Sequence, residues 1–264
     1  MNQIFPAAIA WHLYVKTLLD KGAETFNART GQPTRELLGA SAVYLMTDAF
    51  PWHPWRKASK KFAAGEALWI LEGRNDVAGI APFNKRIAKF SDDGVVFFGA
   101  YGPKIAAQLP YVVNVLANDP SSRQAVINIW RETPGPTKDV PCTLSLQFLI
   151  RDGMLHQVVT MRSSDAWLGV PYDWFNYAMV AALVALRLRI VGVHVELGAC
   201  FWTAASGHLY AADLGAARDA TAATHVESGP YPKFYLNQLE GEDHLLDVIR
   251  TAANENAYPR WPAP

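Results

Sequence analysis

PCTLSLQFLIRDGMLHQVVTMRSSD, residues 141–165, decides the fold. Residues 144–150 and 154–161 are two apolar runs of strand length, and Asp152-Gly153 stands between them. Both central residues of a tight two-residue hairpin turn need positive φ, and Asp-Gly supplies that cheaply. The stretch therefore predicts an antiparallel hairpin. Pro141-Cys142-Thr143 opens it and Met161-Arg162-Ser163-Ser164-Asp165 closes it, so Cys142 and Arg162 are expected side by side at one sheet end.

Outward from the hairpin, residues 175–188 are apolar on all sides, which predicts a deeply buried helix. Residues 190–202 read as a further strand pair. Upstream, residues 4–23 read as an amphipathic helix ending near Gly22, and 26–34 as a polar turn region with Arg29, Gly31 and Pro33. Residues 37–45 read as a strand, and 59–71 as a helix closed by Gly73. Residues 95–98 read as a short strand leading into Gly99-Ala100-Tyr101-Gly102. A turn is expected at 119–122 and a strand at 125–130. Strands dominate the middle and helices flank them. The expectation is an α+β fold, one domain over residues 1–264, with a mainly antiparallel or mixed sheet.

Hydrophobic residues make up 50% and charged residues 18%, which suits a compact globule. Lys plus Arg and Asp plus Glu both number 24, so no global basic field exists to hold a nucleic acid polymer. No internal repeat or low-complexity tract is visible. The longest apolar stretch, 179–186, is too short to span a bilayer, and no secretory leader is visible. A soluble cytoplasmic protein without a metal or a membrane partner is expected.

There are two cysteines. Cys200 lies in an apolar run and reads as a small buried hydrophobe. Cys142 lies beside Arg162, whose charge favours the thiolate, the nucleophilic form.

The chain resembles the thymidylate synthase family. The residues that carry the resemblance appear in the family's order, from about residue 20 to about 215. Arg29-Thr30-Gly31 is similar to its N-terminal phosphate loop, Glu66-Ala67-Leu68-Trp69 to its catalytic-glutamate helix, and Tyr101-Gly102 to its active-site tyrosine turn. Asp119-Pro120-Ser121-Ser122-Arg123 resembles its second phosphate segment. Pro141-Cys142, Gln147-Phe148, Arg162-Ser163-Ser164-Asp165, Leu168-Gly169-Val170-Pro171-Tyr172-Asp173 and Tyr177-Ala178 resemble its central block. His208-Leu209-Tyr210 is similar to its sugar motif.

The resemblance implies a homodimer that acts on a pyrimidine nucleoside monophosphate with 5,10-methylenetetrahydrofolate as co-substrate. It implies that Cys142 adds to C6 of the ring, while Glu66 and Tyr101 organise proton transfer. It assigns the phosphate to Arg29, Arg162 and Ser163, with Arg123 reaching across from the partner subunit. Gly169 and Asp173 would meet the base, His208 and Tyr210 the sugar, and Asp165 the folate.

One departure bears on substrate. Thymidylate synthases carry Asn where this chain has Asp173. A carboxyl group suits cytosine, which offers an amino donor and an N3 acceptor. The same exchange marks the cytidylate 5-hydroxymethylases of the family, in which water replaces hydride in the last step. The stretch 83–90 contains none of the tryptophans that shield the synthases' intermediate. Thr143, Met161, Gln124 and Ala212 stand where the family has His, Gln, Arg and Asn, and the tail 258–264 lacks the synthases' closing end. The expected reaction is 5-hydroxymethylation of CMP or dCMP. The alternatives are a thymidylate synthase or deoxyuridylate hydroxymethylase acting on dUMP, or a noncatalytic nucleotide-binding homodimer. CMP against dCMP stays open, as does modified viral DNA against nucleoside secondary metabolism.

Overall fold

The computed structural model describes residues 3–27, 30–222 and 233–262. Helix α1 (Ala7–Lys21) precedes strands β1 (Ala23–Asn27) and β2 (Gln32–Leu45). Helices α2 (Lys60–Leu71), α3 (Val77–Ile80) and α4 (Gly102–Asn118) follow. The centre holds β3 (Val126–Asn128), β4 (Thr143–Arg151), β5 (Met154–Asp165), α5 (Val170–Ile190) and β6 (Glu196–Tyr210). Helices α6 (Leu214–Thr221) and α7 (Glu242–Glu255) close the described chain.

The six strands form one mixed sheet in the order β1-β2-β6-β5-β4-β3, flanked by helices, and the fold is α+β. All pairings are antiparallel except β5 with β6. That parallel pair needs a crossover, and α5 is the crossover. One buried cluster runs from Ala7 to Ala253.

The expected hairpin is present. Arg151 pairs with Met154, and Asp152 and Gly153 both have positive φ, 52° and 74°. The apolar helix is also present and longer than expected, because Pro171 fits its first turn. Nearly every residue from Trp174 to Leu188 is buried. Trp174 stacks on Tyr44 at 4.4 Å, and the Tyr44 hydroxyl donates to the Trp174 carbonyl at 3.1 Å. These contacts anchor the base of α5 against β2, so its first turn is held rigidly at the sheet's end.

Ser59 caps α2, accepting from the Phe62 N–H at 3.1 Å, and Gly73 closes that helix with φ 70°. The first helix ends at Gly22, as expected.

Four expectations change. Residues 95–98 form no strand beyond a single bridge between Asp76 and Val96. Their backbone is satisfied otherwise: Asp93 Oδ1 accepts from the N–H groups of Val95 and Val96, and Asn75 O accepts from Phe97 N–H. Residues 190–202 are not a strand pair. The helix runs through Ile190, Gly192 turns the chain at φ 86°, and one long strand begins at Glu196. The polar stretch 26–34 is mostly strand, with Phe26 opposite Pro33 and Asn27 opposite Gln32. Helices α4 and α7 were not anticipated, although Ile105, Leu109, Val112 and Leu116 are spaced for one buried face. Pro110 lies within α4 and masks that pattern, because proline usually ends helices.

Among the described residues, no helix is long and apolar enough to cross a membrane.

Candidate active site

The start of β4, the end of β5, the first turns of α5, the middle of α2 and the start of α4 surround a cavity of about 360 Å³. Cys142, Glu66, Tyr101, Ser163, Asp165, Gly169 and Asp173 all line it. These residues are far apart in sequence and meet because β5 ends where α5 begins.

Cys142 is half-buried at the lip. Its carbonyl accepts from the Arg162 N–H at 2.8 Å, a ladder bond that fixes the two residues side by side. Arg162 Nη2 lies 3.6 Å from Cys142 Sγ. The guanidinium is itself held in place: Nε donates to the Pro141 carbonyl at 2.9 Å and Nη2 to the Val140 carbonyl at 3.0 Å. A fixed cation beside sulfur stabilises the thiolate over the thiol.

A group of carboxyls lines the same cavity. Asn176 Nδ2 donates to Glu66 Oε2 at 2.7 Å. Burial pushes the Glu66 carboxyl up to about 7, and the Asn176 bond pulls part of that back. Asp173 lies far above the usual carboxylate range, chiefly from burial, with the nearby charges of Glu66 and Asp165 adding to it. Burial also raises Asp165, against the pull of the Leu168 N–H, His208, the Trp167 N–H and Arg56. Asp165 Oδ1 accepts from Trp167 N and Leu168 N, both at 2.9 Å, which pins the turn before α5. Gly169 leaves room there, since a Cβ would stand 3.1 Å from the Asp165 carbonyl and 3.4 Å from Asp173 Oδ2. Three carboxyls that share one half-buried site cannot all ionise cheaply, so the site retains protons near neutrality.

Burial keeps Tyr101 and Tyr177 as neutral phenols, and their rings stack at 6.2 Å. Thr143, which departs from the family pattern, is fully buried. Its hydroxyl bonds to that of Tyr177 and also contacts Met161 Sδ at 3.1 Å. The two departures at 143 and 161 therefore fill each other's space. The remaining wall is apolar, from Trp69, Ile70, Ile87, Phe90 and Phe97, and suits a flat ring system.

Other expected residues lie elsewhere. Arg162 reaches the site through Cys142 rather than lining the cavity. His208 is buried on β6 beside Asp165 in register, with its ring edge on Tyr210 at 5.2 Å; neither lines the cavity. Arg123 is exposed before β3, away from the lining residues. Arg29 lies outside the described residues.

Two polar lining residues lie outside the expected set. Asn176 follows Asp173 by three positions, which places both on one helix face. Asp139 comes from the proline-rich loop and accepts from Gly99 N–H at 2.6 Å through Oδ2, closing the wall behind Tyr101. The helical spacing could have found Asn176. Nothing local marks Asp139.

The half-buried acid Glu66 has a thermodynamic signature. Glu66 ordinarily titrates near 4.5 and here near 7, so the native state holds the extra proton between those values. Stability must fall as pH rises through that window and level off above it. Glu66→Gln removes this contribution. The difference in melting temperature, variant minus wild type, is expected to grow more positive from pH 5 to pH 8. A constant difference would show that Glu66 titrates normally.

Among the described residues, no group of three or more His, Cys, Asp or Glu side chains is arranged to hold a metal ion. A family model described as thymidylate synthase matches residues 10–253.

Proposed function

Because the chain belongs to the thymidylate synthase family, whose members transfer a one-carbon unit from methylenetetrahydrofolate to a pyrimidine nucleotide, we propose that it is a cytidylate 5-hydroxymethylase. The observation that carries this reading is Asp173, a carboxyl in the cavity whose surroundings favour its neutral form. A neutral carboxyl offers one O–H donor and one carbonyl acceptor. Cytosine presents the complementary pair, an N3 acceptor and a C4 amino donor. Uracil presents N3–H and O4; its N3 already carries a hydrogen, so it cannot take the Asp173 proton and form the carboxylate pair that protonated N3 and the C4 amino group offer. The proton can ride on N3 or on Asp173 as the ring gains and loses charge.

The chemistry then proceeds on ordinary principles. The Cys142 thiolate bonds to C6, and the electron pair of the C5–C6 double bond moves to C5. C5 bonds to the methylene carbon of the folate, whose carbon–nitrogen bond breaks as Glu66 and Tyr101 handle protons through bound water. Loss of the C5 proton then breaks the remaining carbon–nitrogen bond, releases tetrahydrofolate and leaves an exocyclic methylene on the ring. Water bonds to that carbon, the ring double bond re-forms, and Cys142 leaves as thiolate. The balance is nucleotide, methylenetetrahydrofolate and water in, and hydroxymethyl nucleotide and tetrahydrofolate out. Asp165, on the cavity wall, is assigned to the folate.

Arg29, Arg162 and Ser163 are assigned to the phosphate, and His208 and Tyr210 to the sugar. Residues 1–264 are read as one catalytic unit that works as a homodimer. Val43, Phe201, Val158 and Gln147 form a half-exposed row across the sheet, the face such a pair would bury. Arg123 is exposed at the β3 side, where it could enter a partner's site.

Mass spectrometry of products tests the reading. Enzyme, methylenetetrahydrofolate and each of CMP, dCMP and dUMP are incubated separately. A 5-hydroxymethyl product on a cytosine nucleotide is expected. A methyl product on dUMP, or no product on any of the three, overturns the assignment.

A further inference from the structure

Glu66 is assigned to proton transfer, yet nothing in that assignment explains which of its oxygens works or what keeps the group poised. Asn176 answers both. It is 2% exposed and enclosed by α5 and its neighbours. Its Nδ2 donates to Glu66 Oε2 at 2.7 Å, across 110 residues of sequence. Its Oδ1 is buried with no hydrogen-bond partner. An amide tolerated in so dry a place with half its capacity unmet is held there by what the other half does. A buried side chain that served packing alone would sit better as an apolar residue, as Met179 and Val180 one turn on do.

The surroundings sharpen the point. Lining the cavity with Glu66 are Asp173 and Tyr177 from α5, Asp165 from the end of β5, Tyr101 from the start of α4, and Cys142. None of these is a cation, and the hydrogen bond that Glu66 receives comes from Asn176. The cations of α2 stand in its first turn, Lys60 over the Tyr258 ring and Lys61 over Phe83. Glu72 at the helix's other end pairs with Arg250 of α7 and Arg74. The Asn176 N–H is thus the local dipole that favours ionised Glu66, and burial opposes it.

We propose that Asn176 is the positioning residue for Glu66: its N–H holds Oε2, so that Oε1 is presented to the nucleotide ring, and the same bond sets the pH at which Glu66 exchanges its proton. The ring in that statement rests on the cytidylate reading above; the coupling of the two side chains does not.

The test is a ¹³C-carboxyl NMR titration of the full chain labelled at glutamate, with Glu66→Gln identifying the signal. Asn176→Ala removes the donor. Asn176→Asp keeps the shape and replaces the donor by a further acid, so it decides the matter alone if the alanine variant does not fold. Both variants are expected to raise the Glu66 midpoint, the alanine variant by about 1–2 pH units and the aspartate variant by at least as much. A midpoint within a few tenths of wild type in a folded variant overturns the proposal. In active enzyme the ionisation seen in kcat moves upward in step, while KM for the cytosine nucleotide changes by only a few-fold. If the midpoint moves but wild-type protein makes no product, the coupling stands and the cytidylate reading falls. If product forms and the midpoint stays, the reverse holds.

Discussion

Cys142→Ala is expected to lose turnover by roughly four orders of magnitude or more, because removing a covalent nucleophile leaves only binding and proton transfer. The geometry makes this a clean substitution. The Cys142 carbonyl bond to Arg162 N–H belongs to the backbone and survives it. Arg162 keeps its bonds to the carbonyls of Pro141 and Val140. The half-buried side chain at the cavity lip leaves little void behind, so the melting temperature should change little. Cys200→Ala is the control. That thiol is fully buried and pushed up to about 12 by burial, which makes it inert at neutral pH. Its loss should cost stability and leave the rate within a few-fold. Single-turnover assays with mass-spectrometric detection would check both. Product from folded Cys142→Ala at a rate near wild type would remove the covalent mechanism.

Asp173→Asn has the second large effect. The carboxyl and the amide are the same size, so the first turn of α5 and its neighbour Gly169 need not move. What changes is the pattern offered to the base. An amide accepts from N3–H and donates to O4, which is uracil's complement; toward cytosine it leaves polar groups facing their like. A buried polar mismatch of this kind discriminates by about 10²–10⁴-fold. The ratio of kcat/KM for cytosine over uracil nucleotides should fall by that order. The variant also removes a titratable group coupled to Glu66, so rates should be compared at several pH values to separate the two consequences. A ratio that does not move would assign base recognition elsewhere in the cavity.

The readable parts of this chain were those whose physics is local. Asp152-Gly153 declares its turn through the positive φ it tolerates. The apolar run before Leu188 declares its burial because it leaves no face for water. The strand expected at 95–98 failed for a different reason: its backbone bonds go to Asp93 and Asn75, and no pattern of apolar residues reveals side-chain acceptors. Helix α4 was hidden by Pro110 in spite of correct apolar spacing. In the site, motif order anticipated that Glu66, Tyr101, Cys142 and Asp173 would share one cavity. It did not reveal Asn176 or Asp139, whose importance arises only when residues 110 and 40 positions away arrive beside them. It also placed His208, Tyr210 and Arg123 in the same set, and these stand apart from the cavity lining.

The strand order has a consequence for how the chain is made. β2 is flanked by β1 and by β6, and Thr34 finds its partner in Tyr210. At ordinary translation speeds β2 leaves the ribosome on the order of ten seconds or more before β6 exists. Meanwhile the β4–β5 hairpin can close at once, being contiguous. The nascent chain therefore carries an N-terminal hairpin with one open edge and apolar side chains such as Tyr44 and Val43 uncovered. An unpaired edge invites other chains, so the first forty-five residues depend on slow, late closure and on whatever shelters them during synthesis.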